Sequence, residues 1–136
     1  MKILIFTEGT ILMHKNAKNK NYAEYVPIGK AVKKIKKWQK QNVEIVYLTS
    51  RRTDQQINDI HAVLQKYNFP DGALEYRKNE EEYKNVVERV MPDILIEDDC
   101  ESIGGEKEMI CPHTSIVVQE FKGIDHLPDD ATVLLQ

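Results

Sequence analysis

Met1-Lys-Ile-Leu-Ile-Phe-Thr-Glu-Gly-Thr10 decides the fold. Four apolar residues, Ile3 to Phe6, run without alternation and then stop abruptly in polar residues. That pattern predicts a short strand buried on both faces, which is the habit of parallel sheets covered by helices. Two other stretches repeat it. Val43-Glu-Ile-Val-Tyr-Leu-Thr-Ser50 ends in two hydroxyls, and Pro92-Asp-Ile-Leu-Ile-Glu-Asp-Asp99 ends in three acids. In open α/β sheets ligands bind beyond the carboxyl ends of the strands, where the strand order reverses. Three polar strand ends therefore predict one phosphate- or metal-binding crevice, with Phe6 standing where a nucleophile would be wanted.

Between these runs the periodicity changes to that of helices. Ile28, Ala31, Val32, Ile35 and Trp38 form the apolar stripe of a helix over about 28–41. Ile57, Ile60, Val63 and Leu64 mark a second, capped by Thr53-Asp54 and running to Tyr67. Phe69-Pro-Asp-Gly72 is a turn, and a short strand over 73–76 follows it. Tyr83, Val86, Val87 and Val90 mark a third helix over 80–90, before a strand over 93–97. A short helix over 102–109, a fifth strand over 115–119 and a tail that wraps the surface or adds a final strand complete the reading. Right-handed crossovers then give a doubly wound α/β sandwich. The chain reads as one domain over 1–136, with a loop insertion at 13–27 over the strand ends.

Composition narrows the function. The chain has 136 residues, of which 41% are hydrophobic and 30% charged, with a net charge of −3. Nucleic acid is not an expected partner of such a chain. No apolar run approaches the length of about 18 residues that a membrane span needs, so no membrane association is expected. Lys2 to Phe6 reads as a strand rather than a signal peptide, which predicts a cytoplasmic protein. Cys100 and Cys111 form no C-x-x-C pair and read as reduced thiols. Lys30, Lys33, Lys34, Lys36, Lys37 and Lys40 read as a solvated face of the first helix, with polyanion docking as the alternative. His61 reads as a surface residue. His14, His113 and His126 lie in loops without metal-ligand spacing, so zinc is not expected.

The order of motifs resembles the haloacid dehalogenase (HAD) superfamily of Mg²⁺-dependent phosphohydrolases, over residues 3 to about 119. The pieces are Phe6-Thr7-Glu8-Gly9-Thr10, Thr49-Ser50, Lys84 or Lys78, and Glu97-Asp98-Asp99. The resemblance implies a Rossmannoid three-layer sandwich with a central, mainly parallel five-stranded sheet and a minimal cap. It also implies a first-strand Asp that forms an aspartyl phosphate and a second carboxylate that serves as acid and base. By this alignment Phe6 takes the nucleophile position and Glu8 the acid/base position. Thr10, Thr49, Ser50, Arg51 and Lys84 would contact the phosphorylated substrate. Glu8, Asp98 and Asp99 would hold Mg²⁺, with Glu101 behind them.

Each piece also has a plain structural reading. Thr49-Ser50 could cap a helix, Lys84 could pair with Glu80, Glu81 or Glu88, and the acids could edge a solvated loop. On strand alternation Glu8 points the same way as Phe6, and Thr7 the opposite way. Cys100 reads as a structural thiol rather than a nucleophile. The expectation is a HAD-like protein without standard aspartyl-phosphate catalysis, binding a divalent metal, a phosphorylated small molecule, or both. The alternatives are an active Mg²⁺-dependent phosphatase using Glu8 and Asp98, and a non-catalytic interaction module. The resemblance also makes a homo-oligomer plausible, since small HAD-like proteins without a large cap often close the active site through oligomer contacts.

Overall fold

The computed structural model describes residues 1–16, 18, 21–97 and 114–135. The readings for Asp98, Asp99, Cys100, Glu101, Cys111, His113 and the 102–109 helix lie outside these residues. β1 (Lys2–Phe6), β4 (Glu44–Leu48), β5 (Ala73–Glu75), β6 (Ile94–Glu97) and β7 (Gln119–Lys122) form one sheet in the order β5-β4-β1-β6-β7, with every pairing parallel. The order reverses at β1, whose neighbours β4 and β6 lead the chain to opposite edges. β2 (Leu12–Met13) and β3 (Val26–Pro27) form a separate antiparallel ribbon. The helices are α1 (Ala31–Gln39), α2 (Asp54–Lys66) and α3 (Tyr83–Val90).

Side-chain parity on the strands divides the interior into two cores. Ile3, Ile5, Ile45, Tyr47, Ile94 and Ile96 pack against α1 and α2. Leu4, Phe6, Val46, Leu48 and Leu95 pack against α3. Three layers follow, as the apolar runs predict. Inside the first core, Tyr47 donates its hydroxyl to Pro70 O at 2.6 Å. Burial, with the Asp71 charge second, pushes that phenol well above its ordinary value.

Local chemistry shortens the predicted helices. α1 begins at Ala31 rather than near Ile28 because Gly29 adopts φ +48°. A Cβ at Gly29 would lie 1.9 Å from Asp125 Oδ2. α2 starts as expected, the Thr53 side chain accepting from Gln56 N at 3.3 Å. α3 begins at Tyr83 because Glu82 and Asn85 form a capping box, and it ends on left-handed Met91 just before Pro92.

Two further expectations are corrected. The fifth strand is Gln119–Lys122, not 115–119, paired in register with Ile94–Glu97. Ile116 and Val118 instead lean on the α3 core, while Val117 is fully exposed. The tail is neither a surface wrap nor a strand: Ile124, Leu127, Ala131 and Leu134 are buried, the last two within a 3₁₀ helix over Ala131–Leu135. The 13–27 insertion is tied down at its neck by the β2–β3 ribbon and by buried Tyr25, whose ring meets His14 edge-on at 4.6 Å.

Lys34 also departs from the solvated face, being only 7% exposed. Its amine donates to Asp125 O at 2.8 Å and to Leu127 O. Trp38 Nε1 donates to Pro128 O at 3.0 Å, and Gln41 Nε2 to Asp129 O at 2.8 Å. These donors meet carbonyls that the incoming tail would otherwise leave unpaired. Lys34→Met is expected to lower stability by about 1–3 kcal/mol in urea unfolding, the cost of stranded buried carbonyls. Lys33→Met, on the exposed side of α1, should stay within about 0.5 kcal/mol of wild type.

Arg89 joins α3 to the β5 side, bonding Glu75 at 2.5 Å, Glu81 at 3.0 Å and Tyr76 O at 2.8 Å. The hydrogen bond from Arg89, then that from the Lys78 backbone, holds the Glu81 carboxyl below its usual range. A lowered folded-state value stabilises above the unfolded value of about 4.3, and the gain fades as pH falls through the folded value. The stability gap between wild type and Glu81→Gln should therefore be wider at pH 7 than at pH 3 in urea unfolding.

Candidate functional site

The site is built where β1 and β4 end side by side. Thr7 N donates to Leu48 O at 2.9 Å, which continues the pairing one residue past the strand. The chain then folds back around Thr7 O, which accepts from Ile11 N and Leu12 N, both at 3.0 Å. Gly9 takes φ +82° inside this turn, a conformation that side chains resist. On the neighbouring strand, Thr49 N donates to Glu75 O at 3.0 Å and so fixes the end of β4 against β5.

This geometry carries Glu8 into the fork between the two strand ends. Its side chain is 7% exposed, and both carboxylate oxygens face donors. Thr49 Oγ1 lies 2.6 and 2.8 Å from them, and Thr7 Oγ1 2.9 and 2.8 Å. Ser50 N donates at 2.9 Å and Ser50 Oγ at 3.3 Å. A buried carboxylate is tolerable only when hydrogen-bonded to this degree. The expectation that Glu8 shares the direction of Phe6 is corrected. β1 ends at Phe6, so strand alternation no longer governs Glu8, whose carboxylate bonds the Thr7 hydroxyl.

Phe6 belongs to the α3 core. Its ring meets Tyr83 edge-on at 5.0 Å and 71°, and it is 7% exposed. The Arg77 guanidinium lies over the Tyr83 ring at 4.3 Å and donates to Ser50 O at 3.2 Å. Arg51 donates through Nη2 and Nε to Ser50 Oγ at 3.0 and 3.3 Å, and its backbone N donates to Thr49 Oγ1 at 3.1 Å.

Thr49, Ser50 and Arg51 are thus brought together with Glu8. Thr10 is buried in the turn, and among the described residues its hydroxyl has no hydrogen-bond partner. Lys84 is 42% exposed and sits 3.6 Å from Glu82. Lys78 is exposed, its amine 5.6 Å from the centroid of the Tyr76 ring. Arg77 is the residue that sequence reasoning missed. It follows the polar end of β5, the same signal that marked the other strand ends.

Mg²⁺ needs a set of free oxygen ligands. Among the described residues no group of three or more His, Cys, Asp or Glu side chains forms such a set, and the Glu8 oxygens are engaged by hydrogen-bond donors. The described residues therefore do not by themselves fit the ion.

Thr49→Val removes the shortest bond to a buried carboxylate and should cost about 1–3 kcal/mol in urea unfolding. Thr49→Ser, which keeps the hydroxyl, should recover most of that loss.

No protein-family profile and no curated protein matches the chain. Solved structures match at low identity. A chain of a Pnkp1/Rnl/Hen1 RNA repair complex superposes with a TM-score of 0.62 at 14% identity, over 91% of this chain and 43% of that one. The chain thus spans under half the length of that relative. The D,D-heptose 1,7-bisphosphate phosphatase of Burkholderia thailandensis gives 0.51 at 12% identity, over 89% and 90%. That of B. bronchiseptica, complexed with magnesium and phosphate, gives 0.50 at 14% identity, over 71% and 69%. Identities this low speak to architecture alone, and the architecture is the α/β sandwich of the HAD-like fold.

Proposed function

We propose that this chain is a HAD-fold protein that does not form an aspartyl phosphate, and that it binds a phosphorylated small molecule at the carboxyl ends of β1 and β4. The observation that carries the reading is the place of Phe6. A phenyl ring packed on Tyr83 and the α3 core can neither attack phosphorus nor ligate a metal. Thr49 and Ser50, with Arg51 behind them, supply the donors that a phosphoryl group would require. Phosphatases among the structural relatives agree with a phosphorylated ligand.

The alternative, an active phosphatase using Glu8 and Asp98, asks Glu8 to exchange protons with a substrate. Its carboxylate would first have to leave the Thr7, Thr49 and Ser50 donors. The metal half of the reading rests on Asp98 and Asp99. Calorimetric titration of Mg²⁺ into wild type and Asp98→Asn tests it, with saturable heat expected in wild type only.

Phosphate release from a broad panel of phosphate esters with Mg²⁺ tests the catalytic half. Wild type is expected to release none above background. Mg²⁺-dependent release that disappears in Glu8→Gln would overturn the proposal and identify a working phosphatase.

A further inference from the structure

We propose that the Glu8 carboxylate is an internal plug: it occupies the anion cradle made by Thr7, Thr49 and Ser50, and a phosphoryl group enters only by displacing it. The inference rests on the ligand-binding reading above and adds to it the control of that same site.

The direction of the hydrogen bonds makes the argument. A hydroxyl has one proton to donate, so what it accepts tells where that proton goes. Thr49 Oγ1 accepts from Arg51 N at 3.1 Å, which leaves its proton for Glu8 at 2.6 Å. Ser50 Oγ accepts from the Arg51 guanidinium at 3.0 Å, which leaves its proton for Glu8 Oε1 at 3.3 Å. Thr7 Oγ1 has Leu48 O at 3.4 Å as its other acceptor, and Glu8 at 2.8 Å is the nearer. Ser50 N–H can only donate. Three hydroxyl protons and one amide proton therefore converge on one carboxylate.

That donor set repels a cation and suits an oxyanion, the arrangement that fixed dipoles use to hold negative charge away from water. Thr7 and Thr49 are fully buried before any ligand arrives, and Ser50 is half-buried beside them. Backbone pairing holds them in place, since Thr7 N and Thr49 N both continue the sheet. A phosphoryl group carries oxygens of the same kind as the carboxylate and would satisfy the same protons. The two anions cannot share the space, so Glu8 acts as a tethered competitor that lowers apparent affinity for any phosphoryl ligand.

The test is binding of inorganic phosphate to the full chain, followed by calorimetry and by the Ser50 amide resonance. Glu8→Ala is expected to bind phosphate at least about tenfold more tightly than wild type, the equivalent of one charge-assisted hydrogen bond. Adding Thr49→Val should cancel the gain. Where Glu8→Ala fails to fold, Glu8→Gln keeps the volume without the charge and should also bind more tightly than wild type. Equal affinity in wild type and the folded variant would overturn the plug and leave the ligand-binding reading standing. A gain that survives Thr49→Val would overturn it too, by placing the anion elsewhere. No phosphate binding by wild type or either variant would overturn both.

Discussion

The central strand is the constraint on which the rest depends. β1 is paired on both edges and covered on both faces, Ile3 and Ile5 toward α1 and α2, Leu4 and Phe6 toward α3. A strand enclosed on four sides has no freedom to shift register, because a one-residue slip would send each side chain into the opposite core. Its end is therefore fixed relative to the end of β4, and the turn closed around Thr7 O delivers Glu8 to a defined place. The site depends on the core in this direct sense: the apolar parity of four residues sets where a carboxylate sits.

Burying that carboxylate has consequences around it. An unpaired buried charge would cost several kcal/mol, a large share of the margin by which a domain of this size is stable. Thr7, Thr49 and Ser50 meet the cost with hydrogen bonds, and the two arginines meet Ser50 from behind. A carboxylate so satisfied needs no lysine beside it. Lys84 is accordingly placed on the surface of α3 against Glu82, where an exposed pair contributes little. In the arrangement that the HAD resemblance implies, a carboxylate faces a phosphate and a cation must offset both. On the proposal that Glu8 occupies an anion cradle, the carboxylate takes the anion's place and one of the two charges is gone.

Much of this was legible in the residues. Continuous apolar runs locate β1, β4 and β6, because a strand buried on both faces cannot alternate. The edge strand was misplaced for the complementary reason. β7 has one sheet neighbour, so its pairing is set by register with β6 and not by the apolar run Ile116–Val118. Lys34 was hidden among six lysines, although Ala31, Lys34, Ile35 and Trp38 follow the three- and four-residue steps of one buried stripe. Its burial needs carbonyl partners from a tail some ninety residues away, which no local pattern reveals. The direction of Glu8 was misread because alternation was carried one turn past the strand's end.

Phe6 and Glu8 stand two residues apart, yet they belong to different environments. One is a packing element of the α3 core; the other is the charged centre of a polar fork. A fold shared with phosphatases at 12–14% identity fixes neither residue, since chemistry resides in the site and not in the scaffold. The two departures from the HAD pattern bear on different parts of any phosphoryl chemistry. If the fork at Glu8 takes a phosphoryl group as proposed, the carboxylate lowers the occupancy that a group at position 6 would need. An empty cradle, in turn, yields no covalent intermediate while a phenyl ring stands at position 6. On the proposed reading Phe6 removes the covalent step while Glu8 weakens binding, so restoring a carboxylate at position 6 alone would leave the competition from Glu8 in force.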